Sequence, residues 1–423
     1  MQFKSIFVLI FGFIIFVACK STIEEDNLSP NLSDRPNVLL IIGDDMGKDA
    51  MNGFSEGVLK PQTPNLDKLM ADGLTFTNFW TNPTCSPTRA AILTGKYGYR
   101  TGVKDAGDIL SNTETIIHKY INQETDNAYA TALIGKWHLS GNQNVTSPED
   151  LGMDYFSGIM KGTVGDYYNW LLAENGSESI STEYVSTKLT DLAINWVGEQ
   201  EKPWFLCLSY TAPHTPFHIP PSGTFSQEIP FGRNNLETYI AAIESMDYDI
   251  GRLLAKIPAE QLKNTTVVFL GDNGTPNQVA QFPYTASTVK GTIYQGGINM
   301  PLIISGYGVE RRGKDENLIA ATDLFSTIAT IAGSSVENIH DSKSFKKLLT
   351  INGGHRDYVY SEQPNGYTIR NSQFKLIVYA NSEELYDLSV DPYEKVNLML
   401  KPLANASEIA RNSLLSELKS IRN

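Results

Sequence analysis

Short apolar runs that recur along the chain constrain its fold more than any other feature. They read PNVLLIIGDD, AYATALIGKWH, PWFLCLSYTAPH, TTVVFLGDNG and MPLIISG, and they are separated by helical segments such as TPNLDKLMADG and LETYIAAIESMDYDIGRLLAKI. Continuous apolar strands that alternate with helices are typical of a largely parallel sheet covered on both faces. The sequence therefore predicts an α/β fold with a mostly parallel central sheet and helices on both faces.

The composition changes after residue 333. The segment TDLFSTIATIAG reads as a helix that ends at Gly333, and the short strand-like pieces DYVYSEQ, GYTIRN and FKLIVY follow, with a last helix near residues 404–421. Short strands of this kind favour an antiparallel sheet. We therefore expect a main domain over residues 36–335 and a small C-terminal antiparallel α+β subdomain over residues 336–423.

The start of the chain has the layout of an export signal. One lysine precedes an unbroken apolar stretch from Ile6 to Ala18, and Cys19 follows. The stretch is too short for an ordinary transmembrane helix. FVAC resembles a bacterial lipoprotein box, with the less usual Phe16 at its first position, so we expect a signal peptide over residues 1–18 and a lipid on Cys19. A plain signal peptide or an uncleaved anchor is the alternative.

Residues 19–35 are expected to form a tether, because KSTIEEDNLSPNLSDR is polar and has no apolar period. The protein would then be exported to the periplasm or the surface of a bacterium and held to the membrane through the lipid anchor only.

The charge balance limits the partners of the chain. Its formal net charge is -13 and its pI is near 5.0. Nucleic acids and anionic membranes both favour clustered Lys and Arg, so neither is an expected partner. If the substrate is an anion, cationic side chains must be concentrated at its binding site.

Chemically versatile residues follow four of the predicted strands. In open α/β sheets, ligands bind at the carboxyl ends of the strands, so these side chains can converge although they are scattered in sequence. They are Asp44, Asp45, Lys136, His138, His214, Asp272 and Asn273.

Cys85 lies in an unusual setting for a cysteine. Cys207 is part of the apolar run PWFLCLSY and reads as a core residue, whereas Cys85 is surrounded by turn-forming residues in TNPTCSPTR. Pro87 is expected to begin a helix, which would place Cys85 at its positive end with Arg89 one turn along the same face. The sequence predicts an acidified thiol there.

The segment CSPTRAAILTGKYGYRTG resembles the signature of the type I sulfatases, members of the alkaline phosphatase-like superfamily. The resemblance implies that a maturation enzyme oxidises Cys85 to formylglycine, whose hydrated aldehyde attacks sulfur. It also explains why a cysteine stands there, because the hydrated aldehyde can expel sulfate by re-forming its carbonyl, whereas a thiol ester of sulfate would be a dead end.

The resemblance also implies a metal site. Asp44 and Asp45 match the family's aspartate pair after the first strand, Asp272 and Asn273 match its second pair, and the side chain derived from Cys85 completes the set. Oxygen ligands suit a hard cation, so we expect one Ca²⁺ per chain, with Mg²⁺ less favoured.

The family's remaining site residues can be matched one by one. Lys136 and Lys290 match lysines that hold sulfate, and Arg89 would also counter its charge. His138 matches the histidine that contacts the formylglycine hydroxyl, and His214 matches the one that touches the ester oxygen. His218 reads as structural or as a residue behind the site, because Pro213 and Pro216 argue against a metal-binding helix.

The expected activity is hydrolysis of a sulfate ester on a sulfated carbohydrate. The resemblance covers roughly residues 36–397, with Gln295 and Asn299 where many relatives carry Glu and Arg, a departure that bears on the substrate. A phosphodiesterase or phosphonate monoester hydrolase is the enzymatic alternative. An inactive carbohydrate-binding lipoprotein is disfavoured, because such a protein has no need of Cys85, Lys136 and His138 together.

Overall fold

The computed structural model describes Gln2 and residues 35–141, 146–226 and 234–423. Cys19, the predicted signal peptide except Gln2, and the predicted tether except Arg35 lie outside the residues that the structure describes. Within the described residues, no helix is long and apolar enough to cross a membrane.

One sheet of ten strands forms the centre of the molecule. Its strands are β1 (Asn37–Gly43), β2 (Leu74–Trp80), β3 (Ala130–Lys136), β4 (Tyr155–Ile159), β5 (Trp170–Glu174), β6 (Ser177–Ser181), β7 (Trp204–Ser209), β8 (Thr265–Gly271), β9 (Asn299–Gly306) and β10 (Gly313–Ala320). Their spatial order is β10-β2-β9-β8-β1-β7-β3-β4-β5-β6. The run from β8 to β4 is parallel throughout, which confirms the predicted parallel centre.

Two strands outside this run, β9 and β5, have the opposite direction. β9 runs antiparallel between β2 and β8, and β5 and β6 form an antiparallel hairpin at the edge. A parallel return needs a long crossover, usually a helix, whereas only short helical turns lie between β8 and β9. The apolar run MPLIISG is therefore a strand, as expected, but an antiparallel one.

Helices cover both faces of the sheet, as the apolar runs predict. The ten helices of the described residues are α1 (Pro64–Asp72), α2 (Cys85–Thr94), α3 (Gly98–Thr101), α4 (Ile117–Glu124), α5 (Val185–Gly198), α6 (Asn235–Lys256), α7 (Ala259–Lys263), α8 (Gln295–Ile298), α9 (Asp323–Ile331) and α10 (Asn405–Arg422). Alternate residues of β1 divide the core: Leu40 packs with α2, α4 and α9, and Leu39 packs with α1, α5 and α6.

The C-terminal part forms a second, antiparallel sheet. Its strands are β13 (Val359–Gln363), β14 (Gly366–Arg370), β15 (Phe374–Tyr379) and β16 (Glu383–Asp387), and a small hairpin, β11 (Asn338–Ile339) and β12 (Ser342–Lys343), precedes them. α10 packs on β14 and β15. Tyr97, from the main domain, joins the core of this sheet. The predicted antiparallel C-terminal unit is thus confirmed, whereas its exact boundary stays a prediction.

The chain enters the sheet at the amino end of the central strand β1. Arg35 Nη1 donates to the carbonyl of Ala332 at 3.1 Å, and Asn264 Nδ2 donates to the carbonyl of Arg35 at 2.9 Å. β1 then runs to its carboxyl end at Gly43, and Asp44 and Asp45 follow directly.

Candidate active site

Four adjacent parallel strands end together and deliver the side chains of the site. Gly43 of β1 pairs with Gly271 of β8, and Ser209 of β7 lies in register with Ile42 and with Gly135 of β3. The residues that directly follow these strands therefore meet at the carboxyl end of the parallel strands. The structure brings together there Asp44, Asp45, Lys136, His138, His214, Asp272 and Asn273, and Cys85, Arg89 and Lys290 contact them.

Three carboxylates form the floor of the site. The carboxyl groups of Asp44, Asp45 and Asp272 lie within 4.8 Å of one another, and all three residues are buried. Burial and the neighbouring charge of Asp44 raise the pKa of Asp272 to about 6. Burial also opposes ionisation of Asp45, but the charges of Lys290, His214 and Lys136 outweigh it and hold its pKa below the usual range.

Each carboxylate faces a cationic side chain. Lys136 Nζ is 2.6 Å from Asp44 Oδ2, Arg89 Nη2 is 2.9 Å from Asp272 Oδ2, and Lys290 Nζ is 2.6 Å from Asp45 Oδ2. Three positive charges thus balance three negative ones in a buried site. The Lys290 side chain is 24% exposed and that of Lys136 is fully buried, so Lys290 is the lysine that is more accessible to a ligand.

Cys85 is the first residue of α2, two residues earlier than expected. Its Sγ lies 3.1 Å from His138 Nδ1. The expected acidified thiol is wrong: burial raises the pKa of Cys85, and this effect is larger than the opposing attraction of Lys136. Proximity to a helix N-terminus predicts acidification only where the thiol also keeps its solvation.

The two histidines approach this centre from separate loops. His138 adopts a φ of 57°, its backbone amide donates to Met160 O at 3.1 Å, and its carbonyl accepts from Ser86 Oγ at 2.8 Å. His214 Nε2 lies 3.6 Å from Asp45 Oδ2. Burial lowers the pKa of His138 to about 2 and that of His214 to about 4, with the nearby cations adding to both shifts.

Other residues that the sequence singled out lie behind the site. The His218 ring stacks on Tyr167 at 3.6 Å between centroids, and its Nε2 lies 2.8 Å from Tyr184 Oη, so it packs structurally as expected. Gln295 begins α8, and its Oε1 accepts from Trp80 Nε1 at 3.1 Å. Asn299 begins β9.

Sequence reasoning missed two residues that shape the site. Ser209 Oγ contacts Arg89 Nη1 and donates to the carbonyl of Lys136 at 2.8 Å. Tyr239 Oη donates to the carbonyl of Asp45 at 2.8 Å. Ser209 ends β7, so the strand-end argument could have found it, whereas Tyr239 lies within α6 and nothing in its local sequence points to this contact.

The donor atoms fit a hard cation. Asp44 Oδ1 and Asn273 Oδ1 are buried and accept no hydrogen bond from any residue that the structure describes. Buried polar atoms are normally satisfied, and oxygens without a donor beside two further carboxylates are what Ca²⁺ or Mg²⁺ binds. Asn273 Nδ2 donates to Asp45 Oδ1 at 2.7 Å, which orients the amide oxygen away from that contact.

Three features meet at the carboxyl end of the parallel strands: a buried cysteine beside a histidine, a cluster of oxygen atoms that suits a cation, and three cationic side chains. This combination is typical of a hydrolase of anionic esters. The family model for sulfatases matches residues 36–334, and the model for the C-terminal part of N-sulphoglucosamine sulphohydrolase matches residues 289–423. The chain therefore belongs to the sulfatase family, whose members depend on a metal.

Individual relatives agree with this assignment. An uncharacterized sulfatase of Escherichia coli K12, YdeN, is 28% identical over 382 residues, which cover 75% of this chain and 67% of the relative. The N-acetylglucosamine-6-O-sulfatase of Bacteroides thetaiotaomicron is 25% identical, with 87% and 83% covered. The crystal structure of Ps i-CgsB in complex with k-i-k-neocarrahexaose matches with a TM-score of 0.77 at 25% identity and covers 91% of this chain and 92% of that one.

Proposed function

We propose that this sulfatase removes sulfate from a sulfated carbohydrate and uses a formylglycine derived from Cys85. The observation that carries the proposal is the contact of Cys85 Sγ with His138 Nδ1 at 3.1 Å, beside a buried cluster of paired acids and cations. Two of the similar proteins support the substrate class, since one is named for a sulfated amino sugar and the other was crystallised with a carrageenan oligosaccharide.

The state of the thiol favours modification of Cys85. Because burial raises its pKa, the unmodified side chain holds its proton at neutral pH and is a weak nucleophile. A hydrated aldehyde at this position would supply a hydroxyl nucleophile. His138 Nδ1 contacts the position of the atom that replaces Sγ, and it could accept or return a proton there once a bound anionic ester raises its low pKa.

His214 is suited to act on the leaving alcohol. Its Nδ1 lies 2.7 Å from the carbonyl of Thr215, which can only accept, so Nδ1 carries a proton and Nε2 faces the site. An anionic ester would raise the pKa of the imidazole from its low value in this structure, because opposite charges favour the protonated form. Protonation of the ester oxygen would follow from Nε2.

The charged residues bind and orient the sulfate. Lys290 is the exposed cation of the set, and Lys136 lies deeper, so together they can contact different oxygens of one sulfate group. Arg89 forms an ion pair with Asp272. It does not take part in proton transfer, because a guanidinium keeps its charge. A Ca²⁺ ion would be held by Asp44, Asp45, Asp272 and Asn273 together with the modified Cys85. When bound, it supplies positive charge that polarises the ester.

The proposal extends to the maturation and location of the protein. A formylglycine-generating enzyme would act on the CSPTR segment before or during folding, because Cys85 is only 2% exposed in the folded chain. We further propose export to the periplasm or cell surface and a lipid anchor on Cys19; the layout of residues 1–19 supports both.

The test compares esters on one matured preparation. We expect kcat/KM for a sulfate monoester to exceed that for the matching phosphate diester, because cations that surround the non-bridging oxygens leave room for one alcohol only. A clear preference for the diester would instead support the phosphodiesterase alternative. A panel of sulfated oligosaccharides then identifies the sugar.

Maturation is checked by peptide mass spectrometry, which should find the Cys85 peptide with an aldehyde in place of the thiol. Cys85→Ala should reduce turnover to background. Cys207→Ala is the matched control, because it removes a buried thiol from the core of the same sheet and should leave substantial activity. A fully active protein that carries unmodified Cys85 would refute the mechanism.

A further inference from the structure

Lys290 lies in the segment of residues 280–295, which has no helix or strand until α8 begins at Gln295. The backbone amide of Lys290 donates to Thr275 O at 3.2 Å, and the amide of Gly291 donates to Pro83 O at 2.9 Å. The segment thus runs between the turn that carries Asp272 and the residues just before Cys85. These backbone contacts set where the Lys290 ammonium lies, so whatever holds the far end of the segment also affects it.

The C-terminal subdomain holds that far end. Glu394 Oε2 accepts from the backbone amide of Gln295 at 2.6 Å, and Lys375 Nζ donates to the carbonyl of Ile293 at 2.6 Å. Lys375 and Glu394 also contact each other through Nζ and Oε1. Both contacts reach the segment within five residues of Lys290, and they come from a part of the chain that supplies no other residue of the site.

This ion pair is enclosed. The side chains of Lys375 and Glu394 are 0% and 2% exposed. Lys375 Nζ lies 5.1 Å from the centroid of a Trp80 ring, and Trp80 Nε1 donates to Gln295 Oε1 at 3.1 Å. A buried ion pair is weak evidence for added stability, because desolvation offsets the attraction. Its defined geometry, with each partner also bonded to the segment, indicates a role in placing the backbone.

We propose that Glu394 and Lys375 are positioning residues for Lys290. They anchor residues 293–295 to the C-terminal subdomain, Lys375 from β15 and Glu394 from the loop after β16, and this keeps the Lys290 ammonium directed at the sulfate site. The inference rests on the proposed function, in which Lys290 binds sulfate. It gives the C-terminal subdomain a part in sulfate recognition that does not require it to touch the substrate.

Glu394→Gln is the direct perturbation. The carboxylate accepts from both Lys375 and the amide of Gln295, whereas an amide of the same shape has one accepting oxygen and would turn its NH₂ group towards one of these donors. The readout is the inhibition constant of inorganic sulfate, measured together with KM and kcat on matured enzyme. We expect the constant to rise about tenfold, the size of one weakened contact to a charged group.

A second background separates positioning from general damage. In Lys290→Ala, Glu394→Gln should raise the sulfate constant no further, because the group it positions is gone. Equal rises in both backgrounds, or no rise in folded Glu394→Gln, would overturn the inference. If Lys290→Ala itself leaves the sulfate constant unchanged, the proposed role of Lys290 fails instead, and the two failures are distinguishable.

Two controls test the specificity of the effect. Glu383→Gln breaks the ion pair with Arg411 elsewhere in the C-terminal subdomain and should leave the sulfate constant unchanged. If Glu394→Gln does not fold, Gln295→Pro removes the backbone donor together with the side-chain bond to Trp80, whereas Gln295→Ala keeps the backbone amide and loses only the bond to Trp80. A rise for Gln295→Pro but not for Gln295→Ala supports the inference, and equal effects of the two contradict it.

Discussion

The ion pair between Lys136 and Asp44 gives a quantitative test of the metal site. Both side chains are fully buried, and Nζ lies 2.6 Å from Oδ2. Lys136→Met removes the charge and keeps most of the volume, so Asp44 becomes a buried carboxylate whose nearest remaining cation is Arg89 at 3.7 Å. The cluster then carries one uncompensated negative charge.

The expected cost follows from the geometry. At 2.6 Å and an effective dielectric constant of about 20, Coulomb's law gives about 6 kcal/mol for the pair. Desolvation of the wild-type pair offsets part of this, and measured losses for a broken buried pair are about 3–5 kcal/mol. We therefore expect Lys136→Met to lower the free energy of unfolding by about 3–5 kcal/mol in calcium-free buffer.

Saturating Ca²⁺ should remove a large part of that loss, because the ion would supply the positive charge that Asp44 has lost. Urea titrations of both proteins, with EDTA and with Ca²⁺, measure the difference. The matched control is the neutral pair Lys136→Met with Asp44→Asn, which should be more stable than Lys136→Met alone in calcium-free buffer and should gain less stability from Ca²⁺. The reasoning is refuted if the loss in Lys136→Met is the same with and without the ion.

Three further outcomes are expected. Removal of metal by a chelator should slow turnover, and Ca²⁺ should restore it; full activity in protein shown to be metal-free by elemental analysis contradicts this. His214→Ala should reduce kcat/KM for sugar sulfates more than for activated aryl sulfates, because a poor leaving group depends more on protonation; equal losses would remove His214 from its role. Burial opposes ionisation of Asp323, but Arg356 and His355 outweigh it and lower its pKa to about 2. The ionised carboxylate should therefore contribute about 2 kcal/mol of stability above pH 4, and this contribution should be lost as the pH falls towards 2. Urea midpoints of wild type and Asp323→Asn across that range should diverge only on the neutral side.

Much of the site was predictable because its residues follow apolar runs. β1, β3, β7 and β8 are parallel neighbours, so residues just after them share one edge of the sheet, and local sequence is enough to find Asp44, Lys136 and Asp272. The secondary structure of the C-terminal subdomain was predictable for a similar reason, since short strands and a final amphipathic helix are local patterns.

The remainder depends on packing between distant segments. Helix position suggested an acidic thiol at Cys85, but its pKa is set by burial beneath loops that no local pattern reveals. Tyr239 reaches the carbonyl of Asp45 from a helix 194 residues away, and Glu394 reaches Gln295 across 99 residues. Contacts of this kind are decided by how elements pack and not by the periodicity of any one of them.

The chain joins β1 at Arg35, at the end of the sheet opposite the site, and this placement bears on the anchor proposed at Cys19. If Cys19 carries lipid, as proposed, the 16 residues from Lys20 to Arg35 can span at most about 55 Å between the lipid and the point where the chain joins β1. Attachment on that side would leave the site free to face away from the lipid surface, because the site lies at the opposite end of β1. A long polymer could be captured from the surrounding fluid without having to thread between the enzyme and the membrane.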